Sequence, residues 1–148
     1  EFMLCSSCGH KHFISPVPCN AVILENDKGE ILLVRRKVEP KKDYWDLPGG
    51  FIKPYESFDA SAKREIKEEL GVEIAIEEII GMYHDVYVYQ NVELPTLGIC
   101  VKASILSGEI TPADDINGYQ FFSKETVLYQ KLAFDSIRNG LENYLNKR

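Results

Sequence analysis

Apolar residues follow two different periods along this chain. Ala21-Val22-Ile23-Leu24 and Ile31-Leu32-Leu33-Val34 are short unbroken apolar runs, the pattern of strands buried on both faces. Asn26-Asp27-Lys28-Gly29 lies between them and is a turn signal, so the two runs are expected to form a hairpin. Trp45-Asp46-Leu47-Pro48-Gly49-Gly50-Phe51 reads as a strand end running into a glycine turn. After Ser57 the period changes. Phe58, Ala62, Ile66 and Leu70 recur every four residues and predict a helix over about 58–70. Ser57 is placed to cap it and Gly71 to stop it. Strands are expected at roughly 79–90 and 96–105, joined near Asn91. Residues 107–117 form a loop with Pro112 and the pair Asp114-Asp115, a short strand covers 119–122, and 124–146 is helical. Strands interleaved with two helices predict an α/β fold with a mixed β-sheet between helices.

Size and composition narrow the class. The chain has 148 residues, enough for one compact domain with a real core. At 45% hydrophobic and 27% charged residues it is globular rather than disordered. No apolar run approaches a membrane span and no export signal is legible, so the expected compartment is the cytoplasm, without a membrane partner. Net charge is −6, which argues against a nucleic-acid partner because that needs a basic footprint. It leaves room for a small phosphorylated ligand, since a divalent cation can invert the sign of an acidic pocket. Met3 reads as the natural start, with Glu1-Phe2 as a cloning remnant. Residues 1–16 are expected to be an N-terminal appendage and 17–148 the main domain.

The expected helix carries an unusual charge pattern. Glu65 and Glu69 flank its apolar stripe and Glu68 lies just beyond, so three carboxylates share one side. Like charges four apart destabilise a helix by roughly 0.2–0.5 kcal/mol. Acids in its last turns oppose the dipole at about 0.3–1 kcal/mol each. Arg64 and Lys67 relieve part of this, so the helix alone is compatible with a solvated acidic face. On the helix alone that is the better explanation, and the other reading is an oxygen-rich site for hard cations.

The spacing around the helix separates the two readings. Glu56 follows Gly50, then Arg64-Glu65, apolar Ile66, Lys67, Glu68-Glu69, Leu70, Gly71 and apolar Val72. This register, with Pro48-Gly49-Gly50 before it, resembles the signature box of the Nudix hydrolases. The resemblance implies an α/β/α sandwich whose box forms loop, helix and loop. It implies a Mg²⁺ or Mn²⁺ site from Glu65, Glu68, Glu69 and the Gly49 carbonyl. Glu65 would also orient or deprotonate the attacking water, Arg64 would hold the carboxylates, and Glu56 would support the loop. Some members add an acid from a late loop; Asp115 is the first candidate here and Asp114 the second, against ordinary turn residues after Pro112. Two positions depart from the common pattern: Lys53 stands where many members have an acid, and Tyr55 where many have glycine.

The run Arg35-Arg36-Lys37-Val38-Glu39-Pro40 and the following Trp45–Phe51 segment are similar to the ADP-ribose and NADH pyrophosphatase branch. The implied function is metal-dependent hydrolysis of the diphosphate in ADP-ribose, NADH or an ADP-sugar. A nucleoside-triphosphate pyrophosphatase and a non-catalytic nucleotide-sensing module are the alternatives. Cys5-Ser6-Ser7-Cys8-Gly9 followed by Phe13-Ile14-Ser15-Pro16 resembles the second half of a zinc ribbon. Tetrahedral zinc needs four ligands, so Zn²⁺ at Cys5 and Cys8 would require completion from His10, His12 or Cys19. Cys100, in an apolar run, reads as a small core residue. Tyr83, Tyr87 and Tyr89 alternate onto one strand face, fit for sheet packing, base stacking or a homodimer contact. His84 is on the other face, and Trp45 reads as a core anchor.

Overall fold

The computed structural model describes residues 2–147, so Glu1 and Arg148 lie outside the described residues, at the outer ends of the two expected segments. Phe2, read with Glu1 as a cloning remnant, lies in strand β1 (Phe2–Leu4), which pairs with β2 (Lys11–Phe13) around the cysteine turn. The remaining strands are β3 (Val17–Leu24), β4 (Ile31–Arg36), β5 (Trp45–Asp46), β6 (Glu73–Tyr89), β7 (Val92–Ser107) and β8 (Ile116–Phe122). Helix α1 is Phe58–Leu70 and α2 is Asp135–Asn146. One sheet has the order β3-β7-β6, with β3 parallel to β7 and β6 antiparallel to it. The other is antiparallel, β5-β4-β8.

The unbroken apolar runs explain the layering. Side chains of a strand alternate between its faces. Ala21, Ile23, Ile31 and Leu33 therefore join the α2 residues Ile137, Leu141 and Tyr144 in one core. Val22, Leu24, Leu32 and Val34 join Ala62, Ile66 and Leu70 of α1 in the other. The central strands are thus covered on both faces, which gives the expected α/β/α arrangement with a mixed sheet inside. Full burial of each such Leu, Ile or Val contributes roughly 1.5–3 kcal/mol.

The expected hairpin between the first two runs needs correction. Its turn forms: the Asn26 Oδ1 accepts the amides of Lys28 and Glu30, at 3.0 Å each. Its ladder stops at a single bridge, Glu25 to Ile31. Beyond that bridge the runs part, β3 to β7 and β4 to β8, because strands buried on both faces belong inside sheets rather than in a two-stranded ribbon. The β6–β7 hairpin is longer than expected. It turns at Gln90-Asn91, whose φ values of 49° and 62° suit the tight turn that matches strand twist.

The outer edge of β3 is taken by the glycine turn. Val22 N donates to the Pro48 carbonyl, Asn20 N to Gly50 and Ile52 N to Pro18, at 2.9, 2.8 and 3.0 Å. Residues 48–52 are thereby strapped to the central sheet. The expected C-terminal helix is also divided. After a 3-10 turn at Val127–Tyr129 the chain extends, because Trp45 N donates to the Lys131 carbonyl and Ala133 N to that of Trp45. α2 then starts without a capping side chain of its own at Phe134. Asp85 of β6 supplies the cap from across the fold, accepting Ser136 N at 2.8 Å. Among the described residues, no helix is long and apolar enough to cross a membrane.

Candidate active site

α1 follows its sequence signals closely. The Ser57 hydroxyl accepts Ala60 N at 3.2 Å, and Gly71 closes the helix at φ 74°. The buried stripe of Ala62, Ile66 and Leu70 fixes the rotation of the helix, which turns Glu65 and Glu69 toward the strapped glycines. Glu69 is only 5% exposed, and its carboxylate accepts Gly49 N at 3.0 Å. Among the described residues, no lysine or arginine pairs with it. Burial pushes its pKa well above the ordinary value, and Asp115, Asp46 and Glu65 add repulsion.

Arg64 organises the other acids. Its Nε and Nη2 clamp both oxygens of Glu56, at 2.7 and 2.9 Å. Its Nη1 donates to Glu65 at 2.7 Å and Glu68 at 3.0 Å. The bond from Arg64 holds Glu56 down at about 2, while burial raises Glu65. Glu56 also accepts Lys53 N, tying the loop before the helix to the same cluster. Glu65 and Glu68 thus face Arg64, whereas Glu69 faces the glycine turn.

The two glycines are required by contact rather than by chain flexibility. Gly49 has φ 145°, and a Cβ there would lie 2.3 Å from the Asn20 carbonyl oxygen. A Cβ on Gly50 would lie 2.7 Å from the Glu65 carboxyl carbon. Beside them, Asn20 is buried, donates to the Ser61 hydroxyl at 3.0 Å, and leaves its Oδ1 without a partner. A buried carboxylate without a counter-ion and a buried unpaired oxygen, both at one backbone turn, form a donor set that fits a hard cation.

The late-loop aspartates separate. Asp115 lines the cleft next to the glycine turn and raises Glu69 through repulsion. Asp114 is exposed with φ 54°, and its carbonyl accepts Lys37 Nζ at 3.2 Å. Among the cleft residues given no role in the sequence reading are Asp46 and Arg36. Asp46 is 7% exposed and pairs with Arg36 at 3.0 Å. Arg36 also donates to the Pro40 carbonyl and lies over the Phe134 ring at 5.2 Å. The only sequence signal was an acid next to Trp45 at a strand end.

Asp46 carries a pH prediction. Burial lifts its pKa from 3.8 to about 6, against the pull of Arg36. The folded state then holds this proton more tightly than the unfolded state, so its contribution to stability declines as pH rises from about 4 to about 6. Asp46→Asn should flatten that part of the stability profile in urea melts. An unchanged slope would assign it to other groups.

The cleft has a volume of about 140 Å³. Tyr83, Asp85 and Tyr87 of β6 line it, with Phe51, Cys19, Thr96 and the start of α2. Tyr89 lies outside it, 52% exposed, and His84 is exposed.

Comparison with known proteins agrees with this geometry. The model of the NUDIX domain matches residues 16–141. The chain belongs to the Nudix family. It is 30% identical over 126 residues to an ADP-ribose pyrophosphatase of Methanocaldococcus jannaschii, covering 85% of this chain and 72% of that protein. It is 29% identical over 148 residues to the NAD-capped RNA hydrolase NudC of Pseudomonas aeruginosa, covering 99% of this chain and about half (50%) of that longer protein. Its fold matches the crystal structure of the MutT protein from Methanosarcina mazei Go1, with TM-score 0.76 and 24% identity over 91% of this chain and 96% of the other. The fold is therefore that of Nudix hydrolases, and the chain is a Nudix-type pyrophosphohydrolase.

Both departures from the usual Nudix box are now placed. Tyr55 is fully exposed and has φ 66°, a conformation that glycine adopts without strain. The Lys53 ammonium is largely solvated, 4.0 Å from Glu68. Cys5 and Cys8 sit in the exposed turn between β1 and β2, where Gly9 N donates to the Cys5 carbonyl. Hydrogen bonds from Ser7 and Cys8 lower the Cys5 thiol to about 6. Completion of a zinc set by His10, His12 or Cys19 is not formed: among the described residues no three His, Cys, Asp or Glu side chains are grouped as metal ligands, and this holds equally for Glu65, Glu68 and Glu69. Cys100 is a buried core residue, and Trp45 packs edge-on against Phe122 at 5.1 Å.

Proposed function

We propose that this Nudix protein hydrolyses the diphosphate linkage of a nucleoside diphosphate derivative, using Mg²⁺ or Mn²⁺ held by Glu65, Glu68, Glu69 and the Gly49 carbonyl. The observation that carries the reading is Glu69, a buried carboxylate bonded to Gly49 N with no cationic side chain paired with it among the described residues. A bound divalent cation supplies Lewis acidity, neutralising the phosphate oxygens and acidifying water. The chain's own groups supply the rest. Glu69 and the Gly49 backbone fix the floor of the site. Glu65, raised by burial, is suited to accept a proton from an attacking water. Arg64 holds Glu65 and Glu68 in place through its clamp on Glu56. Asp115, which lines the cleft, is the favoured candidate for a further acid, ahead of Asp114.

ADP-ribose, NADH and ADP-sugars are the favoured substrates, supported by the relative named ADP-ribose pyrophosphatase. An NAD-capped RNA end has the same linkage with a much larger second group, and the relative named for that activity makes it a further substrate to test. The deciding experiment is a diphosphate panel with Mg²⁺ and Mn²⁺, read by released products. AMP plus a sugar phosphate from ADP-ribose is expected. NMP plus pyrophosphate from nucleoside triphosphates would instead make it a triphosphate pyrophosphatase. Ligand binding without hydrolysis anywhere in the panel would make it a sensing module.

A further inference from the structure

We infer that Cys5 and Cys8 form a dithiol that closes reversibly to a disulfide when it meets a low-molecular-weight disulfide, so that the turn between β1 and β2 is an oxidation site rather than half of a metal site. The inference is independent of the hydrolase reading, because it concerns residues outside the candidate active site.

The turn gathers both thiols. Cys5 N donates to the His10 carbonyl and Gly9 N to the Cys5 carbonyl, each at 2.9 Å. The second bond closes a short loop around the pair, with Gly9 in the left-handed region at φ 72°. Cα atoms three residues apart in such a turn lie within about 7 Å of each other. A disulfide spans Cα atoms roughly 4.4–6.8 Å apart, so the backbone is already in bridging range. The Cys5 and Cys8 side chains are hydrogen-bonded to each other. Both thiols are exposed, and so is every residue of the two flanking strands, which leaves a small oxidant free to approach. Tetrahedral zinc would need two further ligands at this turn. A disulfide needs only the two sulfurs already there.

Reactivity is graded among the four cysteines in the sense this requires. The thiolate, not the thiol, attacks a disulfide. The Ser7 hydroxyl lies 3.1 Å from Cys5 Sγ, and hydrogen bonds from Ser7 and Cys8 bring Cys5 down to about 6. Cys5 is therefore largely thiolate at neutral pH. Burial instead pushes Cys19 up to about 11 and Cys100 up to about 12, so those two stay protonated and shielded. The exchange then runs in two steps. The Cys5 thiolate attacks one sulfur of the small disulfide; that S–S bond breaks, a mixed disulfide forms on Cys5, and the first small thiolate leaves. Cys8 gives up its proton to solvent and attacks Cys5 Sγ; the mixed S–S bond breaks and the second small thiolate leaves. The small disulfide is reduced to two thiols by the two electrons that the protein pair gives up.

Metal-free protein incubated with oxidised glutathione, quenched by alkylation and read by peptide mass spectrometry, tests the site without turnover. Wild type should lose two hydrogen atoms, with the new link mapped to Cys5 and Cys8 and with Cys19 and Cys100 still open to alkylation after unfolding. Dithiothreitol should restore the starting mass. Cys8→Ser should stop with one glutathione held on Cys5, and Cys5→Ser should react at least about tenfold more slowly than wild type. Both substitutions fall on exposed turn positions, so each variant should keep the wild-type melting temperature. A glutathione that persists on wild-type Cys5, no reaction at the pair, or reaction at Cys19 as fast as at Cys5 would overturn the site. Stoichiometric Zn²⁺ binding at the pair that blocks the disulfide would make it a metal site and overturn the inference equally. A substrate panel without hydrolysis would sink the hydrolase reading and leave this result standing.

Discussion

Glu69→Gln should lower turnover by on the order of 10²–10³-fold while leaving the fold intact. Glutamine has the same shape and keeps an acceptor for Gly49 N, which Glu69 now receives at 3.0 Å. It removes only the charge. In the metal-free protein that charge is a liability, because Glu69 is 5% exposed, lacks a cationic partner among the described residues and is repelled by Asp115. The variant should therefore melt at the same temperature as wild type or higher when chelator is present. Added Mn²⁺ should reverse the order, raising the wild-type melting temperature more than that of Glu69→Gln, since a ligand stabilises the state that binds it. Full activity in the variant would remove Glu69 from the metal site. Unfolding without metal would show that its carboxylate is structural.

The glycine pair should respond in two different ways. Gly49→Ala places a methyl 2.3 Å from the Asn20 carbonyl oxygen and strains the backbone at φ 145°. That atom belongs to β3 and cannot move without breaking the strap, so a loss of about 3 kcal/mol is expected together with the loss of activity. Gly50→Ala meets instead the end of a flexible side chain, the Glu65 carboxyl, at 2.7 Å. The chain can relax by rotating Glu65, so stability should change by less than about 1 kcal/mol. Activity should still fall by about 10²-fold, because the displaced group is the proposed proton acceptor. Denaturant melts and kcat measured on the same two variants check this split. Equal loss of stability in both would contradict it.

Local structure was legible wherever a residue's partner lies close in sequence. Ser57, the four-residue apolar stripe and Gly71 bound α1 to the residue, because capping and periodicity are properties of a single helix. The turn at Asn26 was legible for the same reason. What failed was pairing. β3 and β4 carry the same apolar signal as a hairpin, but their partners β7 and β8 lie far along the chain, and nothing local specifies them. The C-terminal region was misread as one helix because residues 130–134 bond to Trp45, far earlier in the chain. The residues of the proposed metal site were visible through the register of one helix and its preceding loop. The cleft was not, since Arg36, Asp46, Asp85 and Phe134 come from four separate elements. Asp85 in particular acts as a helix cap only because folding sets β6 against α2.

Chelator-stripped protein mixed with ADP-ribose, before and after addition of Mg²⁺ or Mn²⁺, tests the central claim most directly. Release of AMP and ribose 5-phosphate only after metal is added, and not by Glu69→Gln, is the expected result. Equal release with chelator present would contradict the assignment of the Glu65, Glu68 and Glu69 carboxylates to a divalent cation.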